Sequence, residues 1–267
     1  MITTLLSLTA IICYLSGGAL SIRSSRQTQQ VTNKYPGLFA LTLAALACHG
    51  IALHSIALGN GGINLGIFNA ASLVALCISL CLALILPWKP MLSLGAVVFP
   101  LTAIFVALTQ WMPNSGQFTQ DIPVIIQLHI ALSIFAYSLF AIASLQAIYL
   151  ATAHHRLKTH RPILHFLPPL PAMESTLFQL TGIAFVLLTG SLILGGVAIN
   201  NIGEQHLAHK IVFSILAWIV FATLIVGRLR FRWRGHRAVK YVCAGFILLA
   251  LAFFGTKLVL ELILQRA

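Results

Sequence analysis

Eight long apolar stretches constrain the fold of this chain more than any other feature of its sequence. They cover approximately residues 2–22, 36–58, 66–87, 92–111, 124–151, 177–199, 207–228 and 238–262. A helix needs about 20 mainly apolar residues to cross about 30 Å of bilayer hydrocarbon, and each stretch reaches that length. The sequence therefore predicts an all-α fold: a polytopic membrane protein with a bundle of eight transmembrane helices.

The composition leaves no place for an ordinary soluble domain. Hydrophobic residues make up 59% of the chain and charged residues 7%, which lies well outside the usual range of soluble proteins. The longest predicted connection runs from about residue 152 to 176, and in its proline-rich part Ser175 or Thr176 is expected to cap the sixth helix. We predict that residues 1–267 form a single transmembrane domain.

The basic residues are distributed unevenly between the connections. On one side lie 13 of the 16, namely Arg23, Arg26, Lys34, Lys89, Arg156, Lys158, Arg161, Arg228, Arg230, Arg232, Arg234, Arg237 and Lys240. The opposite connections, at about 59–65, 112–123 and 200–206, contain none. The positive-inside rule then places the basic loops in the cytoplasm and both termini in the periplasm.

The net charge of +12 raises the possibility of a nucleic-acid partner, which the positions of the charges argue against. The arginine series "GRLRFRWRGHRAVK" directly follows a span, where basic residues fix topology and attract anionic lipid. We predict the lipid bilayer as a partner and no nucleic acid.

Two histidines interrupt the second apolar stretch, in "ACHGIALHSIAL". His49 lies roughly 14 Å from the outer end of this helix, close to the bilayer midplane. His54 is rotated from it by about 140°, so the two side chains are expected to face different surroundings. An intramembrane ionisable residue is a functional candidate. The alternative for each is a neutral histidine that is hydrogen-bonded between helices.

A second group of candidates lies at the outer ends of the fifth and seventh helices. His129 and His209 enter these helices at similar depth, and they approach one ligand if the two helices are neighbours. The alternative is a pair of interfacial histidines with their polar edges in water. Lys210 is placed to snorkel to the interface or to pair with a haem propionate. Trp218 is placed to pack on a flat ligand or on another helix.

Haem suits these residues better than zinc does. Zinc sites usually take three or four ligands, whereas haem iron needs only one or two imidazoles from the protein. None of the five cysteines forms a Cys-x-x-Cys pair, so covalent haem attachment of that kind is excluded and the expected cofactor is a non-covalent, b-type haem. No carboxylate lies near the midplane, which weakens the hypothesis of a proton-driven transporter.

Several stretches together resemble the haem-handling cytochrome c assembly family of the CcsA and HemX type, and most closely its short YpjD-like branch. They include "ACHGIALHSIAL", "NLGIFNAASLVALCISL", "LHIALSIFAYSLFAIASLQAIYLA", "LPPLPAMESTLFQLTGIAFVLLTG", "HKIVFSILAWIVFA" and "WRGHRAVKYVCAGFILLALAFFG", in the order of the family. The resemblance implies a bacterial inner-membrane protein that binds or presents haem for c-type cytochrome maturation, or tunes haem metabolism, and that is not an enzyme. Its implied partners are haem and other membrane proteins of these pathways.

The resemblance also implies roles for particular residues. His49 matches the family's histidine in an early transmembrane helix, and His129 matches the histidine that opens a later one, which makes both candidate ligands of haem iron. Lys210 and Trp218 fall where longer relatives carry "PKETWALITW"-like sequence.

This chain departs from the longer relatives at its outer face. It lacks their tryptophan-rich outer segment and a counterpart of their later outer histidine. Gly227 and Arg228 stand near the position of their second intramembrane histidine. An accessory or regulatory role fits these departures better than haem export and ligation. The alternative function is a membrane transporter or scaffold that retains the family fold without haem.

The distribution of basic residues makes a topological prediction. Reporters that are active only in the cytoplasm should be silent when fused to either terminus, and active when fused after about Arg161 or Arg234. Enzymatic activity of such fusions in intact cells measures this directly. A cytoplasmic reporter that is active at the C-terminus would contradict the predicted orientation.

Overall fold

The computed structural model describes residues 2–27, 36–57, 63–64, 66–88, 91–112, 118–119, 122–160, 168–198 and 205–255. The helices are α1 (Ile2–Gln27), α2 (Pro36–Ala57), α3 (Ile67–Ile85), α4 (Leu92–Trp111), α5 (Val124–Lys158), α6 (Leu170–Ala198), α7 (Gln205–Phe231) and α8 (His236–Ala250), which continues as a π-helical segment, Leu251–Gly255. Within the described ranges, eight helices are long and apolar enough to cross a membrane. The predicted all-α membrane fold is therefore confirmed.

One short pair of strands accompanies the helices. Strand β1 (Ile63–Asn64) pairs with β2 (Phe118–Thr119) in antiparallel register, with Ile63 opposite Thr119 and Asn64 opposite Phe118. Each strand has two residues, so the pair joins the connections that follow α2 and α4 without altering the helical character of the fold.

The predicted start of the sixth helix is wrong by nearly two turns. Instead of a cap at Ser175 or Thr176, α6 begins at Leu170, and the amide of Ala172 donates to the carbonyl of Pro169. A proline is tolerated in the first turn of a helix, because the amide that it lacks has no partner inside the helix. Pro171 therefore lies in the first turn of α6, and the other two prolines of the run, Pro168 and Pro169, precede the helix. The predicted end of the eighth span, near residue 262, lies outside the described residues.

The helices fall into two compact units. Unit 1 contains α1 to α4, and unit 2 contains α5 to α8 with the π-helical segment. Each unit has its own buried core. The expectation of a single domain over residues 1–267 stays a prediction.

In unit 1, α1 and α4 approach each other closely because small residues face the partner helix. A Cβ added at Gly18 of α1 would lie 3.0 Å from the ring of Pro100 in α4, and one added at Gly95 of α4 would lie 2.7 Å from the hydroxyl of Ser21. Small residues let backbones come together in membranes, where van der Waals packing holds helices to one another. α2 and α3 complete the unit, with α2 against α1 and α3 against both α2 and α4.

In unit 2, α5 and α7 each contact both α6 and α8. Across the centre, Phe140 of α5 stacks on Phe221 of α7 with 3.8 Å between ring centroids, and both rings are fully buried. The Phe221 ring also lies over Gly245 of α8, where an added Cβ would stand 2.6 Å from its Cζ atom. Because Gly245 has no side chain, the Phe221 ring and its stacked partner fit at the core of unit 2.

This packing predicts that Gly245→Ala destabilises unit 2. The new methyl group overlaps the ring of Phe221 and displaces it from its packed position, and overpacking of this kind typically costs about 1–3 kcal/mol. Thermal unfolding of the detergent-purified protein measures the effect. Gly182→Ala in α6 is the control, because nothing lies within 4 Å of its added Cβ. Equal unfolding temperatures for the two variants would contradict this account of the core.

Candidate functional site: histidines inside the two helical units

His49 lies in the core of unit 1 and joins three helices. Its side chain is 1% exposed. Its Nδ1 atom lies 3.3 Å from the hydroxyl of Tyr14 in α1, and its Nε2 atom lies 2.9 Å from Oγ of Ser72 in α3. Hydroxyl groups donate or accept, so they satisfy a neutral imidazole in either tautomer. The contacts of His49 are those of a neutral histidine that is hydrogen-bonded between helices.

His54 has quite different surroundings, as the helical rotation predicts. It lies on the exposed surface of α2, one turn before the helix ends at Ala57. The expectation that His49 and His54 face different environments is confirmed, and His49 alone of the two contributes to the core.

Further polar side chains are buried in unit 1 near His49. Oγ of Ser79 and Oγ1 of Thr102 lie 2.7 Å apart between α3 and α4. Asn69 donates from Nδ2 to the carbonyl of Asn64 at 3.1 Å, while its buried Oδ1 atom has no partner among the residues that the structure describes. These residues were not among the candidates predicted from the sequence. A signal was present for two of them, because Asn69 and Ser72 are polar and lie three positions apart on one face of a strongly apolar helix.

His129 lies in the first turns of α5 and is half-buried against α6 in unit 2. Its Nδ1 atom is 2.7 Å from the carbonyl oxygen of Ser191, and a carbonyl can only accept, so Nδ1 carries the proton. Among the described residues, Nε2 has no hydrogen-bond partner. This is the tautomer in which Nε2 offers its lone pair, and metal-binding histidines commonly donate their other N–H to such a carbonyl.

Serine and glycine residues hold the His129 ring in place. Oγ of Ser133 lies 2.6 Å from Oγ of Ser191 and donates to the carbonyl of His129 at 2.7 Å. The ring rests over Gly195 of α6, where an added Cβ would stand 2.8 Å from its Cε1 atom. Ser191 and Gly195 lie four residues apart and therefore share the face of α6 that receives His129. Ser133, Ser191 and Gly195 were not among the site residues predicted from the sequence.

The candidates on α7 occupy two kinds of position. His209 is exposed and Lys210 is half-buried near the beginning of the helix. Trp218 lies deeper, donates from Nε1 to Oγ1 of Thr189 at 2.9 Å and stacks on Phe185 with 5.4 Å between centroids. Of the two expectations for Trp218, the structure shows packing on another helix, since both partners belong to α6. α5 and α7 contact each other through Phe140 and Phe221. These two residues lie 11 and 12 positions further along their helices than His129 and His209.

The donor groups in the described residues fit one kind of metal chemistry better than another. No group of three or more His, Cys, Asp or Glu side chains there could hold a metal ion, so the described residues contain no ligand set of the kind that zinc takes. A single imidazole with a free Nε2 is sufficient for an axial bond to haem iron. His129 is such an imidazole.

Comparison with known proteins identifies the class. The profile of the family described as "Cytochrome C assembly protein" matches residues 37–264. This chain belongs to the cytochrome c assembly protein family, as its resemblance indicated.

Individual relatives match this chain over different shares of their length. "Inner membrane protein YpjD" of Escherichia coli (strain K12) is 35% identical over 222 residues, which cover 82% of this chain and 84% of that protein. "Cytochrome c biogenesis protein CcsA" of Guillardia theta is 26% identical over 241 residues, 79% of each chain. The CcsA protein of Chlamydomonas reinhardtii is 24% identical over 177 residues, 63% of this chain and 49% of that protein. No solved structure matches this chain.

The contacts of His49 predict a loss of stability when the imidazole is removed. His49→Ala leaves the Tyr14 and Ser72 hydroxyls without their partner in an apolar core, and an unsatisfied buried polar group costs about 1–3 kcal/mol. The unfolding temperature of the purified protein is the measurement, and His54→Ala is the matched control. If both variants have the same unfolding temperature as the unmodified protein, His49 does not hold the three helices together.

Proposed function

We propose that this chain is a haem-binding inner-membrane protein that acts in, or accessory to, the assembly of c-type cytochromes. Its family membership and the names of its relatives support the assembly role. The observation that carries the haem proposal is His129, whose Nδ1 donates to the Ser191 carbonyl and whose Nε2 has no partner among the described residues. In this proposal the chain is not an enzyme.

The residues around His129 fit a non-covalent, b-type haem. Haem iron bound to Nε2 of His129 would supply redox chemistry. The part of the protein is to hold that nitrogen in position. The Ser191 carbonyl fixes the tautomer, and a hydrogen bond of this kind raises the basicity of the ligating nitrogen. Ser133 ties α5 to α6 beside the ring, and Gly195 leaves room for it.

Residues of α7 complete the proposed surroundings. Lys210 is half-buried near the beginning of the helix, where an ammonium group can pair with a propionate at the membrane interface. His209 is a second, exposed imidazole at this level. Trp218 contributes through α6, because its indole is held by Thr189 on the helix that also carries Ser191 and Gly195.

His49 is the second candidate ligand, and it stands under a different constraint. Both of its ring nitrogens have hydroxyl partners, so it binds iron only if the Ser72 or Tyr14 hydroxyl gives up its hydrogen bond. We therefore assign His49 as a candidate in unit 1 whose use as a ligand requires a rearrangement, and His129 as a candidate that needs none.

An accessory or regulatory role is favoured by the inner end of α7. Where the resemblance places a second intramembrane histidine in longer relatives, Gly227 lies beneath the indole of Trp233, and the guanidinium of Arg228 stands 4.4 Å from the Phe178 ring centroid. These positions are used for packing. A protein that passes haem between two intramembrane sites needs a second ligand, and Gly227 and Arg228 do not provide it. A protein that holds haem for other maturation or haem-metabolism membrane proteins does not need this second ligand.

We further propose the bacterial inner membrane as the location, with both termini periplasmic. The relative from Escherichia coli is named an inner membrane protein, and the basic residues follow α1, α3, α5 and α7, which the positive-inside rule assigns to the cytoplasm. In this orientation His129 and His209 lie toward the periplasm.

The haem proposal predicts a spectrum and its dependence on single histidines. The purified protein, supplied with haem, should show a Soret band with reducible low-spin features. His129→Ala should reduce haem occupancy at least tenfold, because loss of a ligand bond costs more than about 1.4 kcal/mol. His54→Ala should leave the spectrum unchanged. Absorbance at equal protein concentration provides the comparison.

The His49→Ala variant decides the role of the second candidate. A lowered haem content or a shifted spectrum in a variant that is still folded supports His49 as a ligand. An unchanged spectrum with a lowered unfolding temperature assigns it to the helix core. If unmodified protein supplied with haem shows no Soret band, the transporter or scaffold function replaces the present proposal.

A further inference from the structure

The turn between α7 and α8 concentrates positive charge that the described residues do not neutralise. Its exposed cations are Arg230, Arg232, Arg234, Arg237 and Lys240. The one carboxylate in the described ranges, that of Glu174, accepts a hydrogen bond of 2.7 Å from the amide of Gly235 and lies 3.8 Å from His154. Negative charge for these cations must therefore come from outside the described part of the chain.

The backbone of this turn is fixed by contacts within it. The amide of Trp233 donates to the carbonyl of Gly227 at 3.1 Å, and Arg232 between them has φ 51°, the left-handed conformation that ends many helices. The indole of Trp233 folds back onto Gly227 so closely that a Cβ there would collide with it. The guanidinium of Arg228 also donates to the carbonyl of Trp233 at 3.3 Å. Arg228 is thus a structural part of the turn.

Trp233 is the centre of an aromatic cluster in the turn. Its ring stacks on Phe231 with 6.3 Å between centroids and lies 5.1 Å from Tyr241. The Arg237 guanidinium stands 5.9 Å from the Trp233 ring centroid. The indole therefore connects the end of α7 to the first turns of α8 and orients at least one of the exposed cations.

The position of the turn identifies its partner. α7 and α8 both have the length and composition of membrane spans, so the short connection between them lies at the bilayer surface. Leu229 and Phe231 are 77% and 69% exposed next to the arginines, which suits contact with acyl chains below a layer of phosphates. A soluble anion uses the cations alone, whereas a phospholipid uses both kinds of side chain.

We propose that the α7–α8 turn is a binding site for an anionic phospholipid, in which Trp233 holds the turn and Arg230, Arg232, Arg234 and Arg237 contact the headgroup phosphate. The site is distinct from the haem proposal, since it lies at the other end of α7 from His209 and Lys210. Its ligand is a phosphodiester lipid with net negative charge, such as phosphatidylglycerol. The arrangement of the cations, and not only their number, gives the preference.

The test compares lipids on the full, detergent-purified chain. The unfolding temperature is followed during titration with phosphatidylglycerol, phosphatidylcholine or inorganic phosphate, which gives an apparent affinity for each. The unmodified protein should prefer phosphatidylglycerol over phosphatidylcholine at least tenfold. The triple variant Arg230→Gln, Arg232→Gln, Arg234→Gln should lose this preference, since each basic residue near a membrane surface contributes about fivefold. Arg23→Gln, which removes an exposed cation at the end of α1, should retain it.

A second variant separates a built site from diffuse charge. Trp233→Ala keeps every cation and should still reduce the preference severalfold, while Trp233→Phe should restore most of it. Full preference in a folded Trp233→Ala protein would show that the charges act without an organised turn, against the proposal. Full preference in the triple variant would place lipid binding elsewhere. Equal stabilisation by inorganic phosphate would identify a soluble anion as the ligand instead.

Discussion

The fold depends on one constraint: inside a bilayer, polar groups must find their partners within the protein. The backbone meets it through helices, and side-chain hydroxyls meet it mostly by returning to their own helix. Thr42 and Thr181 donate to carbonyls four residues earlier, at 2.8 Å each. Polar side chains that cannot close on their own helix must reach another one. Histidine is of this kind, and His49 and His129 are two of the residues that tie helices together by polar contacts.

The two histidines satisfy this constraint in ways that leave different chemistry. His49 has both nitrogens engaged by hydroxyls, and its imidazole is fully used in holding α1, α2 and α3. His129 has one nitrogen engaged by a carbonyl, which is a fixed acceptor and therefore fixes the proton on Nδ1. Its other nitrogen has no hydrogen-bond partner among the described residues. The difference between the two imidazoles thus comes from their partner atoms and not from their depth in the membrane.

Glycines decide where aromatic and imidazole rings can lie in both units. Gly245 receives the Phe221 ring, Gly195 the His129 ring and Gly227 the Trp233 indole. At each of these glycines a ring contacts a helix backbone. Gly195 and Gly227 thereby position side chains with a proposed role, and Gly245 positions a ring in the core of unit 2. Gly182 and Gly196 face open space instead. Nothing in the local sequence distinguishes the two kinds of glycine, because the difference lies in what another helix brings opposite them.

The sequence by itself determined the eight spans, because length and apolarity are properties of a continuous segment and the bilayer selects for both. It also determined that His49 and His54 face apart, since the rotation per residue is fixed within one helix. The start of α6 escaped it, because prolines inside the first turn of a helix resemble a loop. Only the tertiary structure decided that Ser72 and Tyr14 are the partners of His49, and that Ser191 and Gly195 hold His129 with no partner for Nε2 among the described residues. These contacts join residues 23 to 66 positions apart. Such pairs depend on how helices pack against each other, and the sequence of a single helix does not specify that packing.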